Sequence, residues 1–119
     1  MENFFLDKNM NIKLADFGLA KKTDSLLHTR VGTQSYTAPE VYGKTAYSGP
    51  PVDVFSMGVI LYIMITQYFP FLRACDYHHK NFFKDPVTHI SKAKNPVSRE
   101  VLRLILAMLN PKPEKRPTL

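Results

Sequence analysis

The chain has 119 residues, of which 45% are hydrophobic, 12% aromatic and 22% charged, a balance that excludes wholesale disorder and collagen-like repeats and allows one hydrophobic core. Sixteen basic against ten acidic side chains give a net charge of +6, yet the basic residues are scattered or in short pairs such as Lys21-Lys22, so no nucleic-acid partner is expected. The single Cys75 excludes an internal disulfide, and His28, His78, His79 and His89 show no zinc-ligand spacing.

Met-Glu-Asn-Phe-Phe at the start lacks the basic region and cleavage pattern of a secretory signal, so a cytoplasmic or nuclear location is expected. Phe4 to Leu6 and Ile12 to Ala15 are short apolar-rich runs flanking a polar loop, Asp7-Lys8-Asn9-Met10-Asn11, and this pattern predicts a β-hairpin. From Asp16 to Pro51 the apolar periodicity disappears while Gly, Thr, Ser and Pro become frequent, which marks a long irregular segment of the kind that carries function.

Pro50-Pro51 precede Asp53, whose carboxylate is suited to cap a helix running from Val54 to about Gln67. That helix is apolar nearly all round and belongs inside a larger protein. Its apolar stretch, Val54 to Ile65, is shorter than the ~20 residues that span a bilayer, so it reads as a core helix and no membrane is expected. Tyr68 to Pro96 holds three prolines and no consistent period, which predicts loops with one or two short helices. Ser98 is suited to cap a second buried helix, with Glu100 in its first turn and Val101, Leu102, Ile105, Leu106 and Leu109 at helical spacing before Pro111.

The chemistry concentrates near the hairpin. Asp16-Phe17-Gly18 follows the second predicted strand, and a carboxylate at a strand end beside a flexible glycine is well placed to hold Mg²⁺ against phosphate oxygens. Read alone, Asn3 is a turn residue and Asp16 a capping carboxylate. Their spacing, together with Gly32-Thr33-Gln34-Ser35-Tyr36-Thr37-Ala38-Pro39-Glu40 downstream, leaves little room for chance.

This set of motifs resembles the C-terminal lobe of the eukaryotic protein kinases: the last residue of the catalytic-loop motif at Asn3, D-F-G at 16–18, A-P-E at 38–40, the Asp53, Ser56 and Gly58 start of the central helix, and the closing Lys115-Arg116-Pro117. The resemblance implies an α+β, protein-kinase-like fold, with residues 1–119 forming a partial kinase domain: a mainly α-helical C-terminal lobe with a short β-hairpin at its start. It implies that Asn3 and Asp16 hold Mg²⁺ on ATP. Phe17, Gly18, Thr29 and Thr33 then belong to the activation segment, among the hydroxyls Thr23, Ser25, Ser35 and Thr37. Thr29 is the expected target of an upstream activating kinase. Ala38, Pro39, Glu40, Asp53 and Arg116 take structural roles, with Glu40 and Arg116 as a buried ion pair.

Thr33 and Glu2-Asn3 match the serine/threonine-specific subgroup, and the central helix with Tyr68-Phe69-Pro70-Phe71 looks most like the calmodulin-dependent and AMP-activated group. Phe55 stands where Trp is usual and Gln67 where Gly is common. Met1 falls at the catalytic-loop Pro, so by resemblance the catalytic Asp precedes this chain, and the N-terminal lobe with its Gly-rich loop and Lys is absent from it. The expectation is a fragment of a kinase that transfers the γ-phosphoryl of ATP to Ser or Thr hydroxyls of a protein substrate, inactive by itself because the lobe required for catalysis is missing. The alternative is a catalytically dead short form that acts as a binding decoy or regulator of a kinase.

Overall fold

The computed structural model describes residues 2–22, 25–74, 77–90, 93 and 96–118; Met1, Thr23 and Cys75 lie outside them, as do the side chains of His78 and His79. The hairpin forms as the sequence predicts. Strand β1 (Phe4–Leu6) pairs antiparallel with β2 (Ile12–Leu14), Phe4 opposite Leu14 and Leu6 opposite Ile12. Its loop is built on Asp7, whose carboxylate accepts from the backbone N–H groups of Asn9 (2.8 Å) and Asn11 (2.9 Å) and from the Asn11 amide (3.1 Å), while Met10 takes the left-handed turn position at φ 64°. These bonds, the one from the Asn11 backbone foremost, hold the Asp7 carboxyl below its ordinary pKa.

Between the hairpin and the first helix the chain is mostly irregular, as expected, but it contains two 3-10 turns, Gln34–Tyr36 and Pro39–Tyr42. An isolated antiparallel bridge ties Leu27, in the middle of this stretch, to Tyr47 near its end.

Helix α1 runs Gly49–Thr66, which corrects the expected start at Val54 with Asp53 as its cap. Pro50 and Pro51 occupy its first turn, where their fixed φ suits the helix and their missing N–H groups leave fewer orphan donors to cap. Ser48 is the flanking residue and makes no side-chain cap, and Asp53 sits inside the helix, where desolvation pushes its carboxyl above the ordinary pKa. At the other end Gln67 adopts φ 65° and its N–H donates to the Ile63 carbonyl at 2.7 Å, the left-handed closure that explains why glycine is common there.

The eighteen residues of α1 are long and apolar enough to cross a membrane by length and composition. Their packing is that of a core helix: Phe55, Val59 and Tyr62 are fully buried. Met57 and Met64, which share one face, are exposed in this chain.

Among the described residues, Tyr68 to Pro96 contains two short helices, α2 (Tyr77–Lys84) and α3 (Pro86–Ile90). Phe82 of α2 is wholly buried, with ring centroids of Tyr62 at 5.5 Å, Phe71 at 6.1 Å and His89 at 5.6 Å, all edge-on. The Tyr62 hydroxyl donates to the His89 carbonyl at 3.0 Å, joining α1 to α3, and burial raises the Tyr62 pKa.

Helix α4 (Arg99–Met108) starts where predicted: the Ser98 hydroxyl accepts from the Val101 N–H at 3.3 Å. Ile105 and Leu109 are fully buried against α1, and Val101, Leu102 and Leu106 are packed at the edge of the core. The two helices meet at Gly58, where an added Cβ would stand 2.8 Å from Met108 Cβ and 3.1 Å from Leu109 Cδ2.

Two outcomes follow for stability. Gly58→Ala gains about 0.5–1 kcal/mol of helix propensity and loses about 1–3 kcal/mol to overpacking, so denaturant unfolding should read a net loss of about 1–2 kcal/mol, and a net gain would contradict the close packing. Asp53→Ala should leave stability equal or higher at neutral pH, with any gain fading as pH falls through the raised pKa of Asp53 toward its unfolded value. An N-cap at Asp53 would instead show a loss of about 1 kcal/mol.

Candidate functional site

The hairpin register positions the two expected metal ligands. Phe4 faces Leu14 and the Ala15 N–H donates to the Asn3 carbonyl at 3.0 Å, so Asn3 stands beside the residue that precedes Asp16. Asp16 leaves the strand at φ 62°, and its Oδ1 accepts from the Gly18 N–H at 3.2 Å. A Cβ on Gly18 would lie 3.2 Å from that oxygen, which is why a glycine there lets the backbone close onto the carboxylate.

Asn3, Asp16, Phe17 and Gly18 are all exposed. An amide oxygen and a carboxylate are hard donors suited to Mg²⁺, an ion that usually keeps waters and takes its remaining ligands from phosphate. Among the described residues no three His, Cys, Asp or Glu side chains converge, so a cation here needs such outside ligands.

Asn3 lines a cleft of about 450 Å³ with Glu2, Thr33, Tyr36, Ser56 and Phe69. A second cavity, about 360 Å³, is lined by Lys21, Thr37 and Asp53 among others. Thr33, Tyr36 and Ser56 border both. This partition is held from three sides: the Ser56 hydroxyl donates to the Tyr36 carbonyl (3.0 Å), Thr37 Oγ1 donates to the Thr33 carbonyl (3.0 Å), and the Tyr36 ring meets Phe69 edge-on at 5.3 Å.

Thr29 is exposed, and its carbonyl accepts from the Tyr47 hydroxyl. It lines neither cavity, so the structure does not bring it to Asn3 and Thr33.

Glu40 and Arg116 form the expected ion pair, 76 residues apart in sequence. Arg116 Nη1 donates to Glu40 Oε1 at 2.6 Å and Nη2 to Oε2 at 2.8 Å. Nη1 also reaches the Pro51 carbonyl (2.8 Å) and Nε the Asn110 carbonyl (2.8 Å), and the guanidinium carbon lies 4.9 Å from the centroid of the Phe55 ring. Phe55, the departure from Trp, thus supplies the aromatic face under the cation. Ala38 is fully buried and Pro39 opens the 3-10 turn that presents Glu40.

Sequence reasoning missed Arg30, whose Nη2 donates to the carbonyls of Tyr42 (2.8 Å) and Gly43 (3.1 Å), and Tyr42, whose hydroxyl donates to the Gln34 carbonyl (3.1 Å). The signal available was a lone arginine between Thr29 and Gly32 in a stretch of small and hydroxyl residues.

Comparison with known proteins matches the Protein kinase domain family over residues 1–119. CBL-interacting protein kinase 2 of Oryza sativa subsp. japonica is 42% identical over 124 residues, which cover 97% of this chain and 26% of the relative. CBL-interacting serine/threonine-protein kinase 10 of Arabidopsis thaliana is 40% identical over 127 residues, 99% of this chain and 25% of the relative. The chain therefore spans about a quarter of the length of the curated relatives it matches.

Removing one member of a buried pair leaves the other charge uncompensated, so Glu40→Ala should lose about 3–5 kcal/mol in urea unfolding, out of a typical total of about 5–15 kcal/mol. A loss below about 1 kcal/mol would place the pair with ordinary surface salt bridges.

Proposed function

The chain belongs to the protein kinase domain family, and from that premise we propose that it forms the magnesium-holding and substrate-positioning part of a serine/threonine protein kinase. The observation that carries this reading is the hairpin register, which sets Asn3 beside Ala15, the residue before Asp16, with Asn3 itself on a cleft walled by Thr33 and Tyr36. Bound with ATP, magnesium would supply charge neutralisation on the phosphoryl oxygens during transfer to a hydroxyl.

The chain's own residues do the positioning. Asn3 offers an amide oxygen and Asp16 a carboxylate whose orientation is fixed by the Gly18 N–H. The partition of Thr33, Tyr36 and Ser56 forms the wall against which a protein substrate would lie. Thr33 and Glu2-Asn3 support serine and threonine as the accepting residues. Thr29, exposed and outside both cavities, is accessible to an upstream activating kinase. The apolar helix α1 and Tyr68-Phe69-Pro70-Phe71 support a place in the calmodulin-dependent and AMP-activated group, whose location would be cytoplasmic or nuclear.

A chimera tests this directly: residues 1–119 replace the matching quarter of the rice relative, and Mg²⁺-dependent phosphorylation of serine and threonine peptides is followed. The chimera should be active, and Asp16→Asn should lower kcat by ~100-fold or more while the melting temperature stays unchanged. A folded but inactive chimera, or an Asp16→Asn variant of unchanged rate, would overturn the proposal.

A further inference from the structure

The stretch from Arg30 to Gln34 is exposed throughout, so apolar burial cannot order it. Hydrogen bonds do so instead, and they form a closed figure. The Arg30 guanidinium donates to the Tyr42 and Gly43 carbonyls at the end of the 3-10 turn Pro39–Tyr42, at 2.8 and 3.1 Å. From the same turn the Tyr42 hydroxyl reaches back to the Gln34 carbonyl at 3.1 Å. The chain from residue 30 to residue 42 is therefore fastened at two points along its length.

Carbonyls at the end of a helical turn lack intrahelical partners and carry partial negative charge, so a planar cation with several N–H groups is a suitable clasp. Both anchors of the figure are themselves fixed. Just ahead of Arg30, the Thr29 carbonyl accepts from Tyr47, whose backbone pairs with Leu27. In the 3-10 turn, Glu40 is held by Arg116. Gly32, at φ 101°, gives the enclosed chain the one left-handed step it needs to reverse toward Thr33.

We propose that Arg30 is a positioning residue: by clasping the end of the Pro39–Tyr42 turn it fixes Thr33 and Gln34, and so sets the wall of the cleft against which the substrate polypeptide binds. The proposal rests on the kinase reading above. The Arg30 hydrogen bonds go to Tyr42 and Gly43, and through Tyr42 to Gln34, next to Thr33 on the cleft wall, so its effect falls on peptide binding and not on phosphoryl transfer.

In the active chimera, Arg30→Ala should raise KM for the peptide about tenfold, the worth of a charge-assisted hydrogen bond, while kcat and KM for ATP stay within about twofold. Arg30→Lys, which keeps a cationic donor, should recover most of the loss. Tyr42→Phe removes the return bond to Gln34, so it should shift KM in the same direction, and the double variant should be less than additive. Hydrogen exchange of the 119-residue chain provides a readout independent of activity: amides of residues 31–37 should exchange at least about fivefold faster in Arg30→Ala, with those of α1 unchanged. An unchanged exchange pattern overturns the clasp, and a fall in kcat at constant peptide KM overturns the positioning role. An inactive unsubstituted chimera overturns the kinase reading, and exchange alone then decides the clasp.

Discussion

The Arg116 guanidinium organises the molecule. Its contacts reach three stretches of chain: Glu40 in the 3-10 turn, the Pro51 carbonyl and the Phe55 ring in α1, and the Asn110 carbonyl just after α4. A lysine in that place would offer a point charge without the fork that meets a carboxylate and two carbonyls together. Because the Arg116 side chain is wholly excluded from solvent, its donors need partners, and the Glu40 carboxylate with the Pro51 and Asn110 carbonyls takes up four of its five N–H groups. The irregular stretch between the hairpin and α1 reaches the core at Ala38, Val41 and Tyr47, and this pair fastens the turn that carries Val41 to α1 and to the chain after α4.

The molecule is unevenly packed as a result. The core lies where α1 and α4 meet at Gly58 and where Phe82 gathers the rings of Tyr62, Phe71 and His89. The hairpin is different: Phe4, Phe5, Leu6, Ile12 and Leu14 are all exposed, and its form comes from the Asp7 loop and the strand ladder. The candidate metal ligands sit on this lightly packed part, while the wall of the cleft beside Asn3 is tied to the core through Ser56. Such a division places chemistry on elements able to adjust and positioning on elements that are fixed.

Local patterns in the sequence were enough for some of this. The polar loop between two apolar runs predicted the hairpin, and Ser98 with the stripe from Val101 to Leu109 predicted α4 and its cap. Asp53 misled because a good capping residue followed two prolines, whereas the prolines themselves begin the helix. The burial of Phe82 was not legible, since Tyr68 to Pro96 has no period and Phe82 is selected by neighbours distant in sequence, such as Tyr62 on α1. The Glu40 and Arg116 pair has no local signature either; resemblance pointed to it, and geometry supplied the Pro51 and Asn110 carbonyls. Arg30 and Tyr42 lay beyond pattern reading, because their partners are backbone carbonyls, which carry no residue identity.

The dependence of the fold on the buried pair is best measured as a coupling energy. A double-mutant cycle with Glu40→Gln and Arg116→Met, read by urea unfolding, isolates the interaction from the cost of each single change. Residues acting as one network should give a coupling of about 2 kcal/mol; additivity to within about 0.5 kcal/mol would mean that Arg116 acts through its carbonyl and ring contacts alone and that Glu40 is not its necessary partner.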